Sequence, residues 1–333
     1  MAGFGERARH WRYAELPGVD LLRARYVRKT FVRHTHEHFV IAAIAAIADG
    51  VEVFHHRGAD QYAGAGALAL VNPDTAHTGR AGVPEGWRYG AVYPSPEVVA
   101  GIAAETTSLR GTPGFVRPVL DDPYAVALVH QVLRAADEGN ALAADTLLRV
   151  AVTRLLRENG GALPQRDVRS AGARIAVRAR AVLEERMAAP PTLEQLAADL
   201  GVGPFALLRA FRGVYGMPPH TWLTDARVRR ARQLLDAGAG PASAAVEVGF
   251  TDQSHLNRHF TRIVGVPPGS YQRERKNVQD SPGRLLLASE AWQTNRQRSQ
   301  IRTPTVEAGR TPPSSETPSG SGWPSDCPGS PSG

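Results

Sequence analysis

Arg209 and Arg258 stand 49 residues apart, and each sits midway between two apolar residues: Leu207 and Phe211 in one case, Leu256 and Phe260 in the other. Residues four apart share a helix face, so the apolar pairs turn inward and each arginine turns outward. A guanidinium carried on a helix can form two parallel hydrogen bonds to guanine in the major groove, which is wide enough to admit the helix. On one isolated helix such an arginine reads as an ordinary surface residue. Two copies in the same register point to recognition of DNA. A second set is imidazole: His34, His36 and His38 alternate along a strand-like run and so share one face, and His77 follows a later turn.

The arginines belong to a longer internal repeat. The pairs Leu207/Leu256, Arg209/Arg258, Phe211/Phe260, Gly216/Gly265, Pro218/Pro267 and Trp222/Tyr271 are all 49 apart, whereas Ala197/Ala245 and Gly201/Gly249 are 48 apart. One residue has therefore been gained or lost at a turn. In each unit a short helix ends at Gly201 or Gly249, where glycine permits a sharp turn, and a second helix follows at Pro204–Tyr215 or Asp252–Val264. Each unit reads as a helix-turn-helix. Thr192 with Gln195 three residues on is the signature of a capping box, and a preceding helix at Arg174–Met187 stops before Pro190-Pro191.

Between the units, Pro219 to Ala237 reads as one helix, apolar at Ala226, Val228, Ala231, Leu234 and Leu235 and basic at Arg227, Arg229, Arg230 and Arg232. About 18 residues at about 1.5 Å each make a rod of about 27 Å, comparable with the roughly 34 Å of one duplex turn. Such a spacer would set both second helices on one side of DNA. The spacer arginines, with Thr221 and Thr261 near helix ends, are candidates for phosphate contacts, which fix register without reading sequence.

Charge points the same way. Residues 170–276 carry 15 Lys+Arg against 9 Asp+Glu, which is nearly all of the chain's net +7. The single cysteine, Cys327, excludes a disulfide framework, a thiolate zinc site and a cysteine nucleophile in the folded part. With no apolar segment of membrane length and no leader-like N-terminus, the expectation is a soluble cytoplasmic protein.

The N-terminal half reads as β-rich. Strand-like runs at Val19–Phe31, His36–Ala48, Val51–His55, Ala67–Val71 and Trp87–Tyr93 are separated by Gly-, Pro- and Asp-rich turns, the pattern of a small barrel or jelly roll. Helices follow at Pro96–Ser108, Pro123–Glu138 and Leu142–Asn159. The last two could pack on the barrel, on each other or on a second subunit. The fold class is α+β: a β-barrel with following helices, an all-α region of two helix-turn-helix units joined by a linker helix, and a C-terminal tail too rich in Pro, Ser, Thr and Gly to order itself. The expected domains are 1–160, a linker at 161–172, a second domain at 173–276 and a flexible tail at 277–333, with a stray helix at Arg284–Trp292.

Thr192 to Tyr271 resembles the DNA-binding domain of the AraC/XylS transcriptional regulators. The resemblance rests on Leu193-Glu194-Gln195-Leu196-Ala197, on Leu207 to Arg212, on Arg227 with Ala231 and Leu234-Leu235, on Gly249-Phe250-Thr251-Asp252, and on Val266-Pro267-Pro268 before Tyr271. It implies base-facing positions at Phe205, Leu208 and Arg209 in the first unit and at Gln253, Ser254, Asn257 and Arg258 in the second. Arg212, Thr221 and Thr261 complete the expected DNA contacts. The chain departs from the family at Gly203, where a serine cap is usual, at apolar Leu208, and at Gln272, where an arginine commonly follows the tyrosine.

Residues 20–100 resemble the cupin-like effector domain of the same regulators through His34-x-His36, the Gly50 turn, Asn72-Pro73, His77 and Trp87–Pro94. Metal-binding cupins add a carboxylate three or four residues after the His-x-His pair. Val40 and Ile41 stand there, so no metal, cofactor or catalytic residue is expected. A polar ligand pocket is expected instead, from His36, His38, His77, Trp87, Tyr89 and Tyr93, with Trp11 and Tyr13 of the N-terminal arm as a lid.

The leading expectation is a transcription regulator of activator type, homodimeric and not membrane-bound, that binds double-stranded DNA and a small-molecule effector, with RNA polymerase as a further partner. The alternative is a metal-dependent cupin enzyme with an appended DNA-binding domain, which metal content tests. A third reading, paired helices docking on polymerase alone, predicts little salt dependence of DNA affinity, whereas phosphate-contacting proteins lose affinity steeply as salt rises.

Overall fold

The computed structural model describes residues 6–163 and 170–273. The tail expected at 277–333, the helix at Arg284–Trp292 and residues 164–169 of the linker expected at 161–172 lie outside the described residues.

Twelve strands and nine α-helices follow one another in the described chain. The β-region runs β1 (Arg7–Arg12), β2 (Val19–Tyr26), β3 (Thr30–His34), β4 (Val40–Ala43), β5 (Glu52–His56), β6 (Ala59–Ala63), β7 (Ala67–Val71), β8 (His77–Ala81) and β9 (Trp87–Pro94). Helix α1 (Pro96–Thr106), strands β10 (Pro113–Phe115) and β11 (Val119–Asp121), helices α2 (Pro123–Asp137) and α3 (Ala141–Asn159), and β12 (Gly160–Ala162) complete it. Six strands form one sheet in the order β1-β2-β9-β4-β7-β11, and four form a second, β3-β8-β5-β6. The two sheets face each other as a jelly-roll-like sandwich, without one continuous closed ladder.

Alternation along the six-stranded sheet explains why its inner strands are buried on both faces. Leu21, Ile41, Leu68, Leu70 and Val92 point to one side and pack with Val126, Val129 and Leu133 of α2 and Leu148, Val152 and Leu155 of α3. Leu22, Ala24, Val40, Ala42, Ala69 and Ala91 point to the other and meet Phe31 and Phe54 of the four-stranded sheet. The helix-facing side carries mostly large aliphatic residues, whereas the sandwich-facing side mixes alanines with Leu22, Tyr26, Val40, Trp87 and Tyr89. A cavity lies over the small side chains Ala42 and Ala69. Helices α2 and α3 complete the core of this one chain.

Three expectations change here. The run Val19–Phe31 is two strands in different sheets, because the chain turns a corner at Val27–Lys29. There Oε1 of Glu6 accepts three consecutive backbone N–H groups, at 3.1, 2.7 and 2.7 Å. The run His36–Ala48 contributes only the four residues of β4. The N-terminal arm is no lid: it is strand β1, paired along its length with β2, and Trp11 is 1% exposed inside the core.

The helical region contains α4 (Ala171–Glu185), α5 (Leu193–Asp199), α6 (Pro204–Tyr215), α7 (Pro219–Asp236), α8 (Pro241–Glu247) and α9 (Gln253–Val264). Local signals set its boundaries. Thr192 and Gln195 form the reciprocal capping box that starts α5, and Asp252 caps α9 through the N–H of His255. Gly203 leaves α6 without a side-chain cap, as its sequence implied. The repeat is also a repeat of packing. Phe211 meets Trp222 edge-on at 6.0 Å in the first unit, and Phe260 meets Tyr271 edge-on at 5.5 Å in the second. Helix α7 serves both units, giving Leu223 and Ala226 to the first core and Val228, Ala231 and Leu235 to the second. Among the described residues no helix is long and apolar enough to cross a membrane.

Candidate functional site: a cavity roofed by the helix-turn-helix region

The helical region docks on the β-sandwich through α7 and α9, and a cavity of about 70 Å³ lies at the joint. At about 30 Å³ for each water, that is room for two or three waters or a few ligand atoms. Its floor is the sandwich interior, with Leu22, Val40, Ala42, Ala69, Phe31 and Phe54. Its wall is His34, His36, His77, Glu52, Tyr89 and Tyr93. Its roof is Val228, Arg229 and Arg232 of α7 with Ile263 and Val264 of α9.

The roof is held by polar contacts. Asp225 of α7 is 0% exposed and accepts from Thr35 twice, from Oγ1 at 2.5 Å and from the backbone N–H at 3.4 Å. Arg229 lies 3.6 Å from Asp225 and 3.5 Å from Asp74. Burial pushes the Asp225 carboxyl above its ordinary pKa, against the pull of Arg229 and Thr35. Arg232 reaches Asp20 at 3.2 Å. Burial opposes its charge, but Tyr271, Asp20 and Asp236 outweigh that and keep the guanidinium protonated. Arg12 bridges Asp20 and Asp236 at 2.5 and 3.2 Å. On α9, Lys29 donates to the Thr261 carbonyl, and His10 Nε2 faces the Val264 carbonyl at 3.2 Å.

The spacer arginines are consequently not a free basic face. Arg229 and Arg232 point into the joint, and Arg227 donates to the Met187 carbonyl at 2.7 and 3.0 Å, closing the chain end that follows α4. Only Arg230 of the four is exposed. Asp225 stands one turn before Arg229 on the same helix, but Asp74 and Asp20, which draw Arg229 and Arg232 into the joint, lie more than 150 residues earlier and left no signal in the spacing.

The wall is unusual in its buried titratable groups. Burial lowers the pKa of His34 to about 4 and that of His77 to about 3, with help from the neighbouring charges in each case; His36 falls well below its ordinary value for the same reasons. All three imidazoles are neutral at physiological pH. Burial raises Glu52 to about 7, and its Oε2 has no hydrogen-bond partner although part of the side chain is accessible. A carboxyl protonated more readily in the folded chain than at 4.5 stabilises the fold fully below that pH, and the contribution is lost as pH rises through about 7. Glu52→Gln should therefore flatten the fall in Tm between pH 5 and 8 and raise Tm at pH 8 by on the order of a few degrees. Parallel thermal-melt profiles for the two proteins would contradict this.

Of the residues expected to hold an effector, His36, His77, Tyr89 and Tyr93 line the cavity; His38 and Trp87 do not. Strand β3 ends at His34, so His36 and His38 lie in a loop and no longer alternate on one face. Trp87 is 1% exposed within the sandwich core, stacked with Tyr89 at 6.4 Å. His34, Glu52, Arg229 and Arg232 were not among the residues expected to hold an effector, the two arginines having been expected at phosphates instead. His34 was visible in the sequence as half of the His-x-His pair; the others carried no local signal of a role at the cavity.

The expected DNA-contacting residues divide by exposure. Phe205 is 78% exposed, and Arg209, Arg212, Gln253, Ser254 and Arg258 are exposed, whereas Leu208, Thr221, Asn257 and Thr261 are half-buried. Thr221 Oγ1 lies 3.1 Å from His220 Nε2, and Oδ1 of Asn257 is buried without a partner. Gln272, where the family often has arginine nearby, donates to the carbonyls of Leu235 and Ala239 at 3.2 and 2.9 Å. It ties the end of α7 in place.

Comparison with known proteins agrees with this architecture. Residues 16–152 match the AraC-like ligand binding domain, and residues 196–274 match a helix-turn-helix domain. The chain belongs to the AraC family of transcriptional regulators. It is similar to the HTH-type transcriptional regulator YbfI of Bacillus subtilis, with 25% identity over 72% of this chain and 86% of that protein. The bifunctional transcriptional activator/DNA repair enzyme Ada of Escherichia coli is 32% identical over 27% of this chain, which is only 25% of Ada. The crystal structure of ToxT from Vibrio cholerae shares the fold, with a TM-score of 0.50 at 11% identity over 77% of this chain and 98% of that one. An AraC-family regulator pairs a ligand-binding domain with a DNA-binding domain, and here the cavity lies where the two meet.

Proposed function

We propose that this AraC-family regulator senses a small molecule in the cavity between its sandwich and its helix-turn-helix region, and passes occupancy to DNA through α7 and α9. One observation carries the reading: the cavity is walled by the ligand-binding domain and roofed by Arg229, Arg232, Ile263 and Val264 of the DNA-binding domain. A ligand touching both must favour one relative placement of the two, since it shifts an equilibrium only by its differential contacts. The domain limits 1–160 and 173–276, with a linker at 161–172, are part of this reading. So are a cytoplasmic location, a non-enzymatic role, a homodimer and contact with RNA polymerase at activated promoters.

Base recognition is assigned to the exposed positions on α6 and α9, led by Arg209 and Arg258, with Phe205, Gln253 and Ser254 beside them. Leu208 and Asn257, being half-buried, read bases only at their margins; Arg212, Thr221 and Thr261 hold phosphates. With a duplex selected by the full-length protein from a random pool, Arg209→Ala and Arg258→Ala should each weaken specific binding by about 1–3 kcal/mol and relax preference at one base position. Unchanged affinity and unchanged preference in both variants, measured by mobility shift at fixed salt, would remove the assignment.

A further inference from the structure

His34 ends β3, His77 opens β8, and the two are directly paired across the four-stranded sheet. The ring centroids of His34, His36 and His77 are 4.4 to 5.1 Å apart. One ring nitrogen from each lies within 4.8 Å of the other two. Backbone carbonyls orient two of the rings: His34 Nδ1 faces the Val32 carbonyl at 2.8 Å, and His77 Nδ1 faces the Thr75 carbonyl at 3.0 Å. A carbonyl only accepts, so each Nδ1 carries the proton and each Nε2 offers a lone pair. Metal-binding histidines are oriented in this way by their outer-shell partners.

The remaining spacing fits a shared ion. His34 Nε2 and His36 Nε2 are 3.2 Å apart. Two nitrogens each about 2.0–2.1 Å from one ion, at angles between octahedral and tetrahedral, lie about 2.9–3.4 Å apart. The outermost separation of 4.8 Å is wider than that, so binding would draw the third imidazole inward.

We propose that His34, His36 and His77 form a binding site for one divalent transition-metal ion in the effector cavity. Three neutral imidazoles with no carboxylate in the set suit zinc, nickel, cobalt, iron or copper and disfavour magnesium and calcium. Val40 and Ile41 supply no fourth ligand from the strand, which leaves a coordination position for water or for an oxygen donor on a small ligand. The site also has a route to the helical region. Thr35, between two of the ligands, is the residue that grips buried Asp225 of α7, so an ion that fixes His34 and His36 fixes the segment holding the roof. This inference deepens the effector-cavity reading and rests on it for its consequence at DNA, not for ion binding itself.

The test is equilibrium dialysis of chelator-stripped full-length protein against Zn²⁺, Ni²⁺ and Co²⁺ in turn. It is done in a His255→Ala/His259→Ala background, because those two imidazoles sit one turn apart on α9 with ring centroids 5.0 Å apart and form a surface chelating pair. The expected result is one ion per chain, with His34→Ala and His77→Gln each weakening it about tenfold or more, the scale on which even outer-shell changes act. The visible spectrum of the Co²⁺-loaded background protein supplies a second readout that needs no His34 or His77 variant, and it should report nitrogen ligands. Substoichiometric uptake, a spectrum of hydrated cobalt, or uptake indifferent to His77→Gln would overturn the site and leave the 3.2 Å contact as an ordinary imidazole hydrogen bond. Failure of ion uptake with DNA recognition intact removes the metal alone; loss of the DNA-binding reading is detected separately by the arginine variants.

Discussion

Asp225→Ala should loosen the helix-turn-helix region from the sandwich without unfolding either. The carboxylate is fully buried at the joint and satisfies the hydroxyl and N–H of Thr35 as well as the charge of Arg229. Its removal leaves a buried guanidinium short of its partner and two donors without an acceptor, a change that costs about 3–5 kcal/mol when a buried pair is broken. Neither core depends on it: the clusters around Phe211 and Phe260 and the sandwich core are apolar and separate. The expected readout is faster hydrogen exchange at residues 33–37 and in the N-terminal half of α7, with the centre of β9 unchanged. Thr35→Val, which removes one hydrogen bond and keeps the charge pair, should show the same pattern more weakly. Exchange that is unchanged at the joint, or raised everywhere, would contradict this assignment.

The second large effect separates two glycines that occupy the same position in the repeat. Gly201 and Gly249 both turn their units with positive φ, +69° and +84°. A Cβ at Gly201 would meet nothing within 4 Å, whereas one at Gly249 would lie 2.5 Å from Ala188 Cα and 2.6 Å from its carbonyl oxygen. Gly201→Ala should therefore cost only the left-handed strain, about 1–2 kcal/mol. Gly249→Ala adds overlap with backbone that cannot swing aside, about 1–3 kcal/mol more. In chemical denaturation the second variant should lose markedly more stability, and its DNA affinity should fall as α9 shifts. Equal losses in the two variants would show that the segment after α4 is not packed against the second turn.

What the sequence disclosed follows from the range of the interactions involved. The limits of α6, α7 and α9 were legible to within a residue, because Pro204, Asp252, Gly216 and Gly265 act within one turn of where they stand. The doubled unit was legible because both copies solve the same packing problem with residues at one spacing. The corner between β2 and β3 was not, since the group that pins it, Glu6, precedes it by some twenty residues and stands just before β1, a strand that itself carried no clear signal. The imidazole site was half legible. Alternation placed His34 and His36 together for the wrong reason, and His77 joined them only through the pairing of β3 with β8. The joint was invisible: Arg229 and Arg232 have the look of a DNA-facing stripe until Asp74 and Asp20, more than 150 residues earlier, are brought against them.

The ligand-binding sandwich and the DNA-binding helices dock as one body with the cavity at their joint. The distance between spin labels at Tyr62→Cys and Val246→Cys reads that docking. Both positions are exposed, at 64% and 68%, one on the sandwich and one on α8, and Cys327→Ser removes the single native thiol. The expected result is one narrow distance distribution in otherwise native protein and a broad one after Asp225→Ala. A broad distribution already present before that substitution would contradict it.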